Sequence, residues 1–428
     1  MKRPVVIGLL VAALLLVLAG IGAVIFFALR GADFAVFDIP LVSATAEETK
    51  TLKVDADKPV KLNVNDDAGD VTVVGADVEA VEIQIVKTGY GSNDARAEEA
   101  LKGVKYEVKQ SGNNITFTYK LDGQQTREVN TVDLVITVPT DTEVELDNGF
   151  GVIDVSDLNG DVNISGDFGD VSVNNIKGVL TVDNASGEIE VSNVDSGSQD
   201  VTIESDFGRV TVDKLNGKNI NISSNSGSLN LTNVRATGEL FTSSDFGNIT
   251  IENSSAASVT TDSSSGTVTL TKVNIRGALI ITCDFGDIDL VQTIADSYDI
   301  DSSSGGVTMD GAKGALKIQA DFGSISIQNA EDVTLDLHSN SGGIDFSGSL
   351  GKGPHSIQSD FGSITLALPT DSALNVDLKT DFGSISSEIP ITISGDVEKT
   401  YQTGTMNGGG EEIFVRTNNG PIEITAIK

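Results

Sequence analysis

Seven aspartates in this 428-residue chain stand immediately before a phenylalanine and a glycine: Asp167, Asp206, Asp245, Asp284, Asp321, Asp360 and Asp381. Carboxylates are hard oxygen donors, so a regular row of them could bind Ca²⁺, with acids such as Asp170 and Asp287 and backbone carbonyls completing each site. Aspartate at a bend can equally accept backbone N–H bonds in an Asx-turn. Both roles stay open, although the second acid is replaced by Arg209, Asn248, Ser324, Ser363 and Ser384, and the Gly-Gly-x-Gly-x-Asp calcium-roll repeat is absent. Asp-Phe-Gly also forms the metal-binding loop of protein kinases. Those enzymes further need a Gly-rich phosphate loop, a strand lysine and a His-Arg-Asp loop. None occurs here, and seven copies at a fixed period cannot make one active site.

The other reactive side chains are sparse. Cys283 takes the position that Gly166, Ser205, Ser244, Ala320, Ser359 and Thr380 hold in the other copies, so it reads as a small residue and not as a nucleophile. His338 and His355 fall in different repeats with no third ligand pattern. No catalytic or cofactor-binding residue is assigned, and Ca²⁺ is the one cofactor considered. A carbohydrate-active β-helix enzyme is the rival of another class. It would need a local, non-repeating cluster of acids with a base, whereas the acids here recur with the repeat and Arg209, Lys214, Arg235 and Arg276 are scattered.

The elements that position these residues come from the repeat itself. The Phe of each Asp-Phe-Gly lies at 168, 207, 246, 285, 322, 361 and 382, mostly 39 residues apart, with Ser-Gly midway at Ser186, Ser226, Ser265, Ser304 and Ser341. The unit is therefore 19–20 residues long in two alternating forms. Four residues before Phe stand apolar residues such as Ile164, Ile203 and Ile281; three after it stand Val171, Val210, Ile249 and Ile288. Apolar residues alternate with Asn, Ser, Thr and Asp on both sides of the glycine, the period-2 pattern of a half-buried strand. Such a unit cannot bury its own apolar face, but stacked units form one continuous core. The expected fold is all-β, a β-solenoid of about thirteen rungs with bends from Gly151 to Gly383. Phe of one rung falls in register with Ser of the next, so large over small is expected to fill space between rungs. The alternation breaks at the ends, where Phe150 precedes Phe168 and Phe361 precedes Phe382 by one unit.

Outside the array the pattern is irregular. Residues 49–146 read as an N-terminal α+β cap, with one rung-like bend at Asp67-Ala68-Gly69-Asp70. A helix is expected from about Asp94 to Lys102, capped by Ser92 or Asn93 and stopped by Gly103. Residues 147–387 are the repeats, and 388–428 a C-terminal cap ending in a rung-like bend at Asn419-Gly420-Pro421.

Composition fits this architecture and sets the location. There are 45 Gly, no Trp and 5% aromatics, a mixture suited to many short strands. The net charge of −34 repels nucleic acid and attracts cations. Lys2 and Arg3 precede an apolar run from Val5 to Leu29, at ~1.5 Å per residue long enough to span a bilayer. Residues 1–30 are thus expected to be a cytoplasmic stub and transmembrane signal anchor, and 31–48 a juxtamembrane linker. Under the positive-inside rule the solenoid lies outside the cytoplasm.

The units Gly166-Asp-Phe-Gly-Asp-Val-Ser-Val173 and Ser205-Asp-Phe-Gly-Arg-Val-Thr-Val212, with Val138-Pro139 and the helix-containing segment before them, resemble the bacterial "putative adhesin" family of β-strand-repeat domains, over roughly 49–428. The resemblance implies surface attachment and brings no catalytic residues. The expected role is a non-catalytic cell-surface solenoid acting in adhesion, envelope structure or ligand binding. Its expected partners are the membrane through residues 5–29 and an extracellular glycan, protein or cationic peptide. A Ca²⁺-dependent scaffold and a cationic-peptide-binding envelope protein are the further alternatives.

Overall fold

The computed structural model describes residues 42–121, 129–395 and 398–427. The expected anchor at residues 5–29 lies outside the described residues. Among those described, no helix is long and apolar enough to cross a membrane.

Period-2 patterning around a glycine produces two strands meeting at a bend. Val162–Phe168 turns at Gly169 into Val171–Ile176, and the next rung turns at Gly187 between Leu180–Ser186 and Ile189–Asp195. Successive rungs pair in parallel and in register, with Val162 opposite Leu180, Ile164 opposite Val182, and Val171 opposite Ile189. Val162, Ile164, Val171, Val173 and Ile176 are all buried. Each such side chain stabilises by roughly 1.5–3 kcal/mol once covered, and the neighbouring rungs do the covering.

Most rungs turn a second time at a non-glycine residue with positive φ, among them Asp157, Asn175, Asn193 and Asn233, and one does so at Gly311. Short amide and carboxylate side chains tolerate that region best. They also bond along the rod, as Asn175 Nδ2 does to Asp157 Oδ1 at 2.6 Å and Asn329 Nδ2 to Asp310 Oδ1 at 2.7 Å. Beyond this corner Leu158, Ile176, Val194 and Leu215 form a third buried wall. In later rungs the wall carries short paired strands such as Ser255–Ala256 and Asn274–Ile275.

Chain order and stacking order differ at both ends. Val60–Asp66 and Val71–Ala76 form a rung beneath Thr142–Phe150 and Ile153–Leu158. Asn114–Tyr119 and Thr131–Pro139 lie beneath that rung in turn. At the other end Glu411–Asn419 inserts between His355–Phe361 and Leu374–Phe382, pairing in parallel with both. The last segment of the chain is therefore an interior rung.

Antiparallel strands close the stack. Ala80–Gly91 pairs with Thr131–Pro139, and Val42–Lys53 pairs with Ala80–Gly91. The helix Asp94–Gly103 starts at Asn93, whose side chain accepts from Arg96 N, so Asn93 and not Ser92 is the cap. At the far end Tyr401–Met406 pairs with Leu374–Phe382, and Ile391–Ile393 adds to it. The end rungs are thereby covered, and the sheet's free edges pass to strands such as Val42–Lys53, Tyr106–Ser111 and Ile391–Ile393, each paired on one side.

Candidate binding edge along the bend column

The bend glycines stack directly on one another. Gly208 adopts φ 153°, and a β-carbon there would lie 1.9 Å from the carbonyl oxygen of Gly187. No other residue fits such a bend.

Two positions before each Phe, and at the matching place on other rungs, a small residue points inward; Gly166 and Ala320 carry no hydroxyl and Ser205 Oγ has no partner, while several others hydrogen-bond the bend carbonyls. Ser244 Oγ donates to Gly227 O at 3.1 Å, Ser359 Oγ to Gly342 O at 2.9 Å and Thr417 Oγ1 to Gly362 O at 2.9 Å. Cys283 occupies the same place; its buried thiol faces Gly286 O at 3.4 Å and Gly266 O at 3.6 Å, and burial pushes the thiol's pKa up. It is a serine substitute, unreactive by burial. At the N-terminal end the column position belongs to Asp66, paired with Asn148. Asp66 is buried; Oδ1 accepts from Ala68 N at 3.1 Å and Oδ2 has no partner. Burial, first, raises its pKa to about 7, with Asp133 and Asp67 adding to the effect. The sequence marked this position only as one wanting small residues; the hydroxyl-to-carbonyl bond that explains it went unread.

The phenylalanines do not fill space between rungs. Phe168, Phe207, Phe246, Phe285, Phe322, Phe361 and Phe382 are between 54% and 78% exposed. The packing expected for them is corrected for a geometric reason. Gly166 pairs with Asn184 and Phe168 with Ser186, while Asp167 is passed over in the ladder. Strand alternation breaks at the bend, so Asp and Phe both face solvent.

The rings form a ladder on every second rung. Phe168, Ser186, Phe207, Ser226 and Phe246 follow one another in register, as do Ser265, Phe285, Ser304 and Phe322. At ~4.8 Å per rung, the rings recur about every 9.6 Å. Phe150 stacks on Phe168 at 5.1 Å, so the alternation does break there. It does not break at the other end. The inserted rung places Asn419 between Phe361 and Phe382 and keeps the two-rung spacing.

The seven aspartates line the same edge. Asp206 accepts from Asn225 Nδ2 at 2.6 Å, Asp321 from Asn340 Nδ2 at 2.6 Å and Asp360 from Asn418 Nδ2 at 3.0 Å. Asp245 and Asp284 face Ser264 Oγ and Ser303 Oγ at 3.4 and 3.5 Å. Lys379 Nζ lies 3.5 Å from Asp381, and Asp167 is exposed. These contacts reach side chains, mostly on the adjoining rung, where the Asx-turn expectation placed local backbone N–H groups. Backbone N–H groups are instead met by the residue after the glycine, and on the next rung: Asp170 Oδ1 accepts from Glu188 N and Asp287 Oδ1 from Gly306 N, both at 2.8 Å. Among the described residues, no three His, Cys, Asp or Glu converge to hold a metal ion. His355 is buried, with burial lowering its pKa, and accepts at Nδ1 from Leu335 N at 3.3 Å. His338 faces Asn340 at 2.8 Å. The two histidines do not form a pair.

Residues 60–276 and 258–425 match the family model described as Toastrack DUF4097. Two solved structures are similar. One, described as a "putative cell adhesion protein" from Clostridium sporogenes, is 9% identical with a TM-score of 0.19, covering 90% of this chain and 100% of that one. The other, described as a "putative adhesin" from Bacteroides fragilis, is 19% identical with a TM-score of 0.27, covering 66% of this chain and 96% of that one. No curated protein matches the chain.

Proposed function

Since the chain belongs to the Toastrack DUF4097 family, we propose that it is a non-catalytic surface scaffold that binds an extended partner along its aromatic edge. The observation that carries this reading is the row of exposed phenylalanines at a fixed two-rung period. Large apolar side chains exposed in a regular row, unlike ones scattered singly, mark a contact surface. The apolar run at residues 5–29 supports a retained anchor, with Lys2 and Arg3 inside and the solenoid outside.

The full chain and its Phe207→Ser/Phe246→Ser/Phe285→Ser variant are compared on arrays of glycans and peptides. Serine already occupies this position on alternate rungs, so the variant keeps its unfolding temperature. It is expected to lose the ligands that the parent retains. Equal binding by both proteins sinks the aromatic edge as the contact surface. Release of reducing ends from any bound glycan would instead establish the carbohydrate-active enzyme. A C-terminal epitope detected on intact cells tests the orientation.

A further inference from the structure

We propose that the occupant of the ladder is a basic peptide segment in the polyproline-II conformation, with a Lys or Arg recurring at every third residue. The proposal rests on the aromatic edge being the contact surface and adds the partner's chemistry and geometry.

Spacing is the first argument. Rings recur about every 9.6 Å, two rungs of ~4.8 Å. A polyproline-II helix advances about 9.3 Å per three-residue turn. One side chain per turn therefore meets one ring per two rungs, and the small mismatch is absorbed by long basic side chains. The inserted rung matters here, because without Asn419 between them Phe361 and Phe382 would fall out of this period.

Charge is the second. Each of these seven rings follows an aspartate in the chain, exposed in every case but the half-buried Asp360, so each step offers a π face and a carboxylate. A cation engages both. Arg209 beside the ladder pairs instead with Glu188 at 3.8 Å, and Lys379, 3.5 Å from Asp381, brings a cation only to the last step. A second copy of this chain, with a net charge of −34, would bring like charge to the same edge.

The backbone is the third. Strands along the ladder are paired on both sides, as Leu180–Ser186 is between its two neighbours. A partner cannot dock by adding a strand here. Polyproline-II segments need no such partner, having no internal hydrogen bonds and a solvated backbone, and they are recognised by aromatic surfaces.

The test titrates the full chain in detergent with a labelled (Pro-Pro-Lys) repeat peptide and a (Pro-Lys) repeat peptide of equal total charge. The first, in register, presents a lysine to every ring, whereas the second brings one to the ring face only every six residues, about 18.6 Å, and so meets only every second ring. The in-register peptide is expected to bind at least ~10-fold more tightly. The Phe207→Ser/Phe246→Ser/Phe285→Ser variant should lose roughly tenfold or more of that affinity, a few-fold per ring. Asp206→Asn/Asp245→Asn/Asp284→Asn should reduce both the affinity and its sensitivity to salt. Equal affinity for the two peptides, unaffected by loss of the rings, overturns the proposal. A neutral chito-oligosaccharide that binds through the rings while neither peptide does overturns the partner but keeps the aromatic edge. Self-association that disappears in the Phe variant has the same meaning, with a second copy as occupant. If the rings matter to no ligand, both readings fall together.

Discussion

At the residue scale the bend column does most of the specifying. Gly208→Ala places a methyl group against the Gly187 carbonyl in a backbone region closed to L-residues. It should cost at least ~1–3 kcal/mol, read as a lower denaturant midpoint with an unchanged slope. Asp66 supplies a pH prediction. Its folded pKa of about 7 lies above the ordinary carboxylate value, so the folded state holds the proton more tightly. The stability it contributes is complete below about pH 4 and is lost as pH rises through about 7. Asp66→Asn should flatten the unfolding profile between those values, because Asn148 and Asn184 already fill this column elsewhere. A slope unchanged in the variant would assign that dependence to other groups. The glycine, the small column residue and the phenylalanine were all legible as a repeat. The direction in which the ring points was not, because the alternation that predicts it fails at the bend.

At the element scale the rung is the unit, and its place in the stack is decided by edges. The helix at Asp94–Gly103 agrees within a residue with the one expected from Asp94 to Lys102. Local patterning suffices for it. The insertion of Glu411–Asn419 has no local signal, since a strand's own alternation does not say between which neighbours it lies. It predicts a disulfide between cysteines at Ser356 and Phe414, which are register partners on adjacent strands. Cysteines at Ser356 and Asp377 should not cross-link, because the inserted strand separates them. Mapping by mass spectrometry under mild oxidation decides; the reverse result would place the last rung at the end of the rod.

At the scale of the whole molecule, an acidic rod carries its charge mainly as self-repulsion. The net charge of −34 should make the unfolding temperature rise with added salt as repulsion is screened. At matched ionic strength Ca²⁺ and Mg²⁺ are expected to act alike. A Ca²⁺-specific rise, abolished by Asp206→Asn/Asp245→Asn/Asp284→Asn, would restore the aspartates as metal ligands.

The sequence alone determined the repeat, its period, the all-β class and the alternation of large and small residues along one column. Each of these depends on residues close together in the chain, and period-2 burial and glycine bends are local physics. Tertiary structure decided that the rings face water and that the seventh ring, Phe382, stays in step with the other six. The first follows from how the strand twists through a stacked bend. The second follows from a pairing between segments some 58 residues apart, Phe361 and Asn419, which no local pattern encodes.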